Sequence, residues 1–445
     1  MGSISDFKKK KREQGYYPKL IKEVTKLNEK LHFLTVINDK LSDGMPFSVK
    51  DNLCVKGFES RAGSKVLKTY IPPFDATPVE RMMKKGFGFM GKTTMDEFGF
   101  GSFGINTDVI ARNPFDERYV AGGSSSGAAV ATSVIKNHVA LAESTGGSIS
   151  NPAAFCGVVG FTPTYGLVSR YGLIDYANSL DKIGIMARSS EDIRETFDII
   201  KGADVYDSTC VDKKVTEGKK QKLIVIDQLM KGVDEEIQSS FQVLLARLEN
   251  QGYKIEHVNL DFIDKAIPAY YIISMAEAST NLAKYTGYKY GLQLDDFTKG
   301  YNEFFTKARE NFGTEAKRRI VLGTFVRSSS VKDKYYTKAL KARSALTNKL
   351  SELMKTGFII SPTMPIMAPK IEEAEKLSPL QAYAMDSLTI PPNLSGFPHI
   401  TFPYSYTKGM PLGAQLITSH FNDYALTDFV GEWEKSFKYN FKYDL

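Results

Sequence analysis

Hydrophobic positions near the start of the chain recur at helical spacing and lead into a strand-like run. Within the polar region of residues 1–45, apolar side chains at intervals of three and four residues predict an amphipathic helix: Leu20, Val24, Leu27 and Leu31. Residues 46–50 are then typical of a strand that ends at Lys50. We therefore expect an N-terminal helical segment over residues 1–40 and a main domain over residues 41–445.

The second half of the chain alternates strand-like and helix-like patterns. Residues 223–226 predict a buried strand, residues 237–248 carry the apolar face of a helix, and another strand-like run begins at Tyr253. A strand, a helix and a strand in succession are typical of parallel sheets with helical crossovers.

The other segments extend the same pattern. A helix capped by Ser189 or Ser190 precedes the unit just described, residues 265–355 are mainly helical in pattern, and residues 358–360 and 398–402 are strand-like. There is no internal repeat and no low-complexity linker. The sequence thus predicts one large α/β domain, with a central mixed, mostly parallel twisted sheet covered by helices on both faces.

Composition excludes several classes of protein. With 445 residues, 42% hydrophobic and 24% charged, the chain has a globular balance, and no uncharged apolar run approaches the roughly 18 residues that span a bilayer. Three cysteines favour a reducing compartment, and neither a CxxC nor a His-x-x-x-His pair suggests zinc. The formal net charge of +7 includes a basic run at residues 8–12, which we interpret as a solvated tail.

Two glycine–serine turns carry the strongest chemical signal. They are residues 121–127 (AGGSSSG) and 145–148 (TGGS), with a predicted helix and strand between them. Glycines let consecutive backbone N–H groups point at one spot, where they can stabilise the oxyanion of a tetrahedral intermediate. Ser148, directly after Gly146 and Gly147, is where a nucleophile is expected.

Two other interpretations of these turns compete with the catalytic one. One is a phosphate-binding loop of the GxxxxGK[ST] type, which is excluded because no lysine follows Gly127. A separate GxGxxG match at residues 99–104, outside these turns, does not follow a clear strand and therefore does not indicate a dinucleotide-binding motif. A plain surface turn is the simplest interpretation of either segment taken alone.

A serine nucleophile needs a neighbouring base, and Lys50 is the candidate. The five histidines are scattered, and none lies in the glycine–serine turns. To act as a base, Lys50 has to give up a proton, which burial among neutral groups favours. Taken alone, it would be an ordinary surface lysine.

Together these segments resemble the amidase signature family, in which a lysine after a strand, a GGSS turn and a GGS turn carry a catalytic triad. The spacing of 24 residues from Ser124 to Ser148 is that of the family. The resemblance, which covers most of residues 40–435, implies the amidase signature fold. It implies that Ser148 is the nucleophile, Ser124 a bridging serine after a cis peptide bond, and Lys50 the base. It also implies an oxyanion hole formed by four backbone N–H groups: Thr145, Gly146, Gly147 and Ser148.

Further segments narrow the resemblance to the glutamine-hydrolysing branch of the family: residues 270–279, 317–324 and 383–391. This narrower match implies that Tyr270, Arg319 and Asp386 hold glutamine. Arginine suits the α-carboxylate because it can donate two parallel hydrogen bonds. Aspartate can pair with the α-ammonium group, and tyrosine can donate a hydrogen bond or pack.

The chain departs from the family pattern beside the triad. The acid two residues before the first glycine of the second turn is Ser144, the arginine two residues after the nucleophile is Ser150, and the lysine before a Pro-Thr pair is Thr162. Because these positions surround the nucleophile, reduced or partner-dependent activity is one expectation.

The resemblance implies a glutaminase that supplies ammonia for converting Glu-tRNA(Gln) to Gln-tRNA(Gln) within a heteromeric ligase of protein biosynthesis. Its implied partners are a further small subunit and an amidotransferase B-type subunit. Because this chain has no ATP-binding motif, ATP, Mg²⁺ and the tRNA are expected to act through the partner, with no cofactor or metal here. The alternatives are a stand-alone amidase acting on another amide and a non-catalytic scaffold protein. A composition rich in Lys, Asn and Tyr favours a fungal form in the mitochondrial matrix over a cytoplasmic one.

Overall fold

The strands of the protein join into a single mixed sheet. The computed structural model describes residues 4, 7, 15–218, 221–295, 298 and 300–445, so the basic run at residues 8–12 lies outside the described residues. The strands are β1 (Leu34–Ile37), β2 (Met45–Lys50), β3 (Phe87–Thr93), β4 (Val139–Ser144), β5 (Val159–Thr162), β6 (Lys182–Ala187), β7 (Lys222–Ile226), β8 (Lys254–Val258), β9 (Phe358–Pro362), β10 (His399–Thr407) and β11 (Met410–Ile417). Their order across the sheet is β1-β3-β2-β4-β6-β5-β10-β11-β9-β7-β8.

Helices connect and cover these strands. In chain order they are α1 (Tyr16–Leu31), α2 (Thr77–Lys84), α3 (Ser126–Val134), α4 (Ser150–Cys156), α5 (Ser190–Ile200), α6 (Asp227–Met230), α7 (Glu235–Asn250), α8 (Ala266–Asn281), α9 (Tyr301–Arg309), α10 (Thr314–Arg327), α11 (Lys338–Met354), α12 (Ile371–Glu375), α13 (Pro379–Ala384), α14 (Ile390–Ser395) and α15 (Asp423–Glu434). Across the described ranges, none of these helices combines the length and apolarity needed to cross a bilayer.

The α/β class and the mixed sheet are confirmed, but the expectation that most neighbouring strands are parallel is wrong. Among the described strands, β2 is parallel to β3 and β4, and β7 is parallel to β8 and β9. The other six neighbouring pairs are antiparallel. One of them, β10–β11, is a hairpin closed by Lys408 and Gly409 at φ 49° and 80°, a two-residue turn that reverses the chain directly.

Most local predictions are confirmed. Helix α5 begins where Ser189 accepts a hydrogen bond from the Asp192 N–H, and the unit β7–α7–β8 is the predicted strand, helix and strand. The N-terminal region differs from its prediction. Its helix ends at Leu31, and β1 then joins the sheet beside β3.

Alternating side chains of the central strands face two different apolar layers. In β4, Ala140 and Ala142 belong to a buried cluster with Leu20 and Val24 of α1, whereas Leu141 belongs to the larger cluster on the other side. Since strand side chains alternate between faces, helices cover the sheet on both sides as predicted. The buried ends of these strands position the chemistry described next.

Candidate active site

Two parallel strands bring the lysine and the second glycine–serine turn to the same edge of the sheet. β2 ends at Lys50 and its parallel neighbour β4 ends at Ser144, directly before the turn at residues 145–148. The carboxyl ends of parallel strands lie together, which is where open α/β sheets bind ligands. The first turn, residues 121–127, runs into the start of helix α3 at the same edge.

Lys50 is fully buried and has three hydrogen-bond acceptors around its Nζ atom. Nζ donates to the Ser124 Oγ at 2.8 Å, to the Glu143 backbone oxygen at 2.9 Å and to the Glu143 Oε2 at 2.9 Å. The peptide bond between Gly123 and Ser124 is cis, as the family resemblance implies. The predicted contact between Lys50 and Ser124 is thus present.

Ser148 lies beside this pair but is not yet bonded to it. Its backbone oxygen accepts a hydrogen bond of 3.2 Å from the Ser125 N–H, which joins the two glycine–serine turns. Its hydroxyl makes no hydrogen bond to any described residue, so the last link of the predicted triad, from Ser148 to Ser124, is open. Catalytic hydrogen bonds often tighten only when substrate is bound.

The second turn has the backbone arrangement expected of an oxyanion hole. Within the described part of the chain, the N–H groups of Gly146, Gly147 and Ser148 donate no hydrogen bond to protein. Gly147 has a φ of 152°, and a Cβ there would collide with the Thr389 side chain. Only glycine fits this position, and the unpaired N–H groups are available to stabilise a developing negative charge.

A buried acidic pair, Glu143 and Asp181, lies next to the Lys50–Ser124 contact and was not predicted from the sequence. The Thr145 hydroxyl lies 2.7 Å from the Glu143 Oε1 and 2.8 Å from the Asp181 Oδ1. Burial, reinforced by the negative charge of Glu143, raises the pKa of Asp181 well above its ordinary value. Glu143 also accepts a hydrogen bond of 3.2 Å from Asn52. A carboxylate directly after a strand-like run was the available sequence signal for Glu143.

Arg319 lies inside a cage of aromatic rings. Its Nε donates to the Glu315 Oε1 at 2.8 Å, and its Nη1 bonds the Tyr176 hydroxyl. The guanidinium carbon lies between 5.0 and 5.5 Å from the centroids of four rings: Phe100, Tyr176, Tyr271 and Tyr383. Such contacts stabilise a buried cation. Glu315, four residues before Arg319 on α10, could have been found from helical spacing.

Asp386 lies next to this cage with both oxygens bonded. Its Oδ2 accepts from the Ser102 hydroxyl and the Tyr271 hydroxyl, each at 2.8 Å, and its Oδ1 accepts from the Asn151 side chain at 3.0 Å. Burial raises the pKa of Asp386. Because Asn151 follows the predicted nucleophile, Ser148, by three residues, this bond connects the predicted substrate residue to the predicted triad.

Tyr270 connects the two halves of the site. Its hydroxyl packs against Gly146 so closely that a Cβ at that glycine would collide with it. Its ring packs edge-on against Tyr271 with 4.9 Å between centroids. The structure therefore gathers all of the predicted site residues. Two further site residues were not predicted from the sequence: Tyr176, whose hydroxyl bonds Arg319, and Tyr271, whose hydroxyl donates to Asp386.

The three departures from the family pattern lie behind the turn. The Ser144 hydroxyl donates to the Asn393 side chain at 3.2 Å, whereas the buried hydroxyls of Ser150 and Thr162 have no hydrogen-bond partner among the described residues. Opposite Ser144 in the sheet is Lys182, a buried lysine whose pKa burial lowers to about 7. None of Ser144, Ser150 and Thr162 takes part in the hydrogen bonds of the Lys50 Nζ atom, which are made with Ser124 and Glu143.

These features define a class of protein: an α/β enzyme fold in which a buried lysine–serine pair faces a glycine turn with open N–H groups. The sequence profile of the amidase family matches residues 20–427, and this chain belongs to that family.

The relatives narrow the comparison within the family. The chain is 41% identical over 426 residues to the A-type subunit of glutamyl-tRNA(Gln) amidotransferase from Pseudothermotoga lettingae, covering 92% of this chain and 90% of that protein. It is 38% identical to the protein of the same name from Sulfolobus acidocaldarius, covering 95% and 92%. The crystal structure of the corresponding Thermotoga maritima protein superposes with a TM-score of 0.84 at 34% identity, covering 99% and 95%.

Proposed function

We propose that this chain is the glutamine-hydrolysing subunit of a glutamyl-tRNA(Gln) amidotransferase. The observation that carries the proposal is the placement of Arg319 and Asp386, two buried opposite charges, in one site with the Lys50–Ser124 pair. Free glutamine carries an α-carboxylate and an α-ammonium group next to a neutral amide. A site that pairs a buried arginine with a buried aspartate therefore suits glutamine better than it suits a simple neutral amide.

The proposed chemistry divides amide hydrolysis into two steps. Ser148 Oγ forms a bond to the side-chain carbonyl carbon of glutamine while the C=O π electrons move to oxygen, which the Gly146 to Ser148 N–H groups stabilise. The C–N bond then breaks, and the nitrogen takes up a proton and leaves as ammonia. Water attacks the resulting glutamyl ester, which releases glutamate and restores the Ser148 hydroxyl.

The substrate end would be held by charge. Arg319 Nη2 makes no hydrogen bond to a described residue, so one guanidinium nitrogen is available for the α-carboxylate of glutamine. Asp386 would accept from the α-ammonium group, and Tyr270 would pack between that group and the Gly146 turn. A charged hydrogen bond of this kind contributes about 1.5–3 kcal/mol.

The rest of the reaction is assigned to partners. Ammonia would pass to an amidotransferase B-type subunit, which would use ATP and Mg²⁺ to activate the glutamate of Glu-tRNA(Gln), and a further small subunit would complete the complex. Two relatives that are named as A-type subunits of glutamyl-tRNA(Gln) amidotransferase support this assignment. We place the complex in the mitochondrial matrix, with the cytoplasm as the alternative.

The nucleophile is tested by ammonia release from glutamine. The chain, purified with the proteins that accompany it, is compared with Ser148→Ala and with Ser126→Ala. Ser126 is a buried serine of the first turn whose hydroxyl contacts the Thr94 backbone oxygen. We expect a loss on the order of 10⁶ for Ser148→Ala and little change for the control. Equal rates for wild type and Ser148→Ala would exclude the assignment.

Arg319→Ala separates glutamine from other amides. A glutamine enzyme should lose affinity for glutamine but keep part of its activity on an uncharged amide, whereas a stand-alone amidase acting on another amide would show no such difference. A serine-directed phosphonate probe that fails to label Ser148 would favour the non-catalytic scaffold.

A further inference from the structure

The buried partner of the catalytic lysine is a carboxylate. Glu143 is fully buried, and its Oε2 lies 2.9 Å from the Lys50 Nζ. An amine base that attracts a serine proton needs a lone pair directed at that serine. Here Nζ forms an ion pair with the Glu143 carboxylate, and as an ammonium group it has an acceptor for each of its three N–H groups: Ser124 Oγ and two oxygens of Glu143. Lys50 in this arrangement has to give up one proton before it can accept another.

The hydrogen bonds around the Thr145 hydroxyl show that one of the two neighbouring carboxyl groups is protonated, and they assign that proton to Asp181. The Thr145 hydroxyl has one hydrogen but lies between two carboxyl oxygens, Glu143 Oε1 and Asp181 Oδ1. One of the two carboxyl groups must therefore carry a proton. Asp181 Oδ2 accepts from two backbone N–H groups at 2.9 Å, those of Tyr176 and Ala177, so its proton belongs on Oδ1.

With the proton on Asp181, every hydrogen bond at the Glu143 carboxyl group is donated to it, so Glu143 is ionised. Asp181 donates to Thr145, Thr145 donates to Glu143 Oε1, and Lys50 and Asn52 donate to Oε2. A carboxylate that accepts several hydrogen bonds is stabilised in its charged form. Burial and the nearby negative charge of Glu143 raise the pKa of Asp181, in agreement with a proton on that residue.

We propose that Glu143 accepts a proton from Lys50 before Ser148 attacks and that the proton returns along the same chain to the leaving nitrogen. The inference rests on the proposed function, in which Ser148 is the nucleophile. Glu143 acts through Lys50 and is a positioning residue that also holds a proton.

The proton transfers balance over one acylation. Nζ gives one proton to Glu143 Oε2 and turns its lone pair toward Ser124. As the Ser148 Oγ–carbon bond forms, the Ser148 proton moves to Ser124 Oγ and the Ser124 proton moves to Nζ. When the C–N bond breaks, one proton moves back from Ser124 to the nitrogen, Nζ supplies Ser124, and Glu143 supplies Nζ. Glu143 ends as the carboxylate that it was at the start.

Two isosteric substitutions give opposite expectations. Glu143→Gln keeps the size of the side chain but cannot accept a proton, whereas Asp181→Asn reproduces the neutral form of Asp181, with an amide N–H facing Thr145. With the complex, we expect Glu143→Gln to lower kcat for glutamine about 100-fold or more with KM within about threefold. Asp181→Asn should retain kcat within about threefold. Glu143→Asp, which restores a proton acceptor, should recover about tenfold of the loss.

The second readout is the rate at which a serine-directed fluorophosphonate probe labels Ser148, since it requires an activated serine but no glutamine. The labelling rate should follow the same order as kcat. Wild-type labelling without ammonia release from glutamine would reject the proposed function and leave this inference standing. Wild-type-like labelling of Glu143→Gln would overturn the inference. So would an Asp181→Asn rate about 100-fold or more below that of wild type. This second comparison needs no Glu143→Gln protein, so it decides even if Glu143→Gln fails to fold.

Discussion

Arg319 and Glu315 lie one turn apart on helix α10 and are joined by a hydrogen bond of 2.8 Å from the Arg319 Nε to the Glu315 Oε1. The Tyr383 hydroxyl donates to the same oxygen at 2.7 Å. Burial opposes ionisation of Glu315, but the charge of Arg319, the hydrogen bonds from Tyr383 and Arg319 and the charge of Arg318 together outweigh it and hold the pKa of Glu315 below its ordinary value. The carboxylate thus fixes the direction of the guanidinium before any ligand arrives.

Glu315→Gln should weaken glutamine binding more than catalysis. Loss of the charged partner lets the Arg319 side chain turn, and about 1.4 kcal/mol of lost positioning corresponds to a tenfold change in affinity. We expect KM for glutamine to rise about tenfold with kcat nearly unchanged. Steady-state ammonia release measures both constants, and Glu310→Gln, an exposed glutamate just before the same helix, is the control. A fall in kcat with constant KM would contradict this role.

A second buried lysine offers a matched comparison for Lys50, the proposed catalytic base. Lys92 lies on the neighbouring strand β3, and its Nζ donates to the Ser60 hydroxyl at 2.9 Å and to the Leu53 backbone oxygen. Burial lowers the pKa of Lys92 to about 8. The pair resembles Lys50 and Ser124 in contact distance but has no glycine turn with open N–H groups beside it in the described part of the chain.

Lys50→Met should abolish phosphonate labelling of Ser148, whereas Lys92→Met should lower stability and leave labelling of the folded fraction intact. The reason is that Lys92 bonds a backbone oxygen and Ser60, so its loss costs packing and hydrogen bonds of about 1–3 kcal/mol. Labelling rates are measured beside a urea unfolding curve, with Ser60→Ala as the milder variant. Loss of labelling in a folded Lys92→Met or Ser60→Ala protein would show that the two lysines are not functionally distinct.

The sequence predicts what depends on local pattern. The unit β7–α7–β8 is predicted correctly because apolar periodicity is a property of a few consecutive residues. The antiparallel neighbours β5, β6 and β10 are not, since strand direction depends on where distant segments pair, which the period of a strand does not encode.

The site divides in the same way. That Lys50, Ser124 and the turn carrying Ser148 lie close together can be predicted because the two glycine–serine turns are short, recognisable segments. Glu143 and Asp181 escape prediction because their importance comes from one hydroxyl, that of Thr145, which lies between the two carboxyl groups, and Asp181 lies 36 positions beyond Thr145 in the sequence. Only the fold brings them together.

Acid should destabilise the protein through His138. Burial lowers the pKa of His138 from 6.5 to about 3, so between these values the unfolded chain binds a proton that the folded chain does not. Its contribution to stability is complete above pH 6.5 and is lost as the pH falls toward 3, by up to about 1.4 kcal/mol per pH unit. Urea unfolding between pH 4 and pH 8 measures the slope. His138→Gln should flatten it, and His257→Gln, an exposed histidine, should not; equal slopes in all three proteins would refute the assignment.

Thr162→Val should stabilise the protein without impairing the site. The Thr162 hydroxyl is fully buried and has no hydrogen-bond partner among the described residues, so it keeps a desolvation cost of about 1–3 kcal/mol that a methyl group of the same shape removes. Thr145→Val is the matched opposite, because that hydroxyl lies within hydrogen-bond distance of both Glu143 and Asp181. We expect the melting temperature to rise for Thr162→Val and to fall for Thr145→Val. A lower melting temperature for Thr162→Val would mean that its hydroxyl is satisfied in solution, most simply by a buried water left where the family has a lysine.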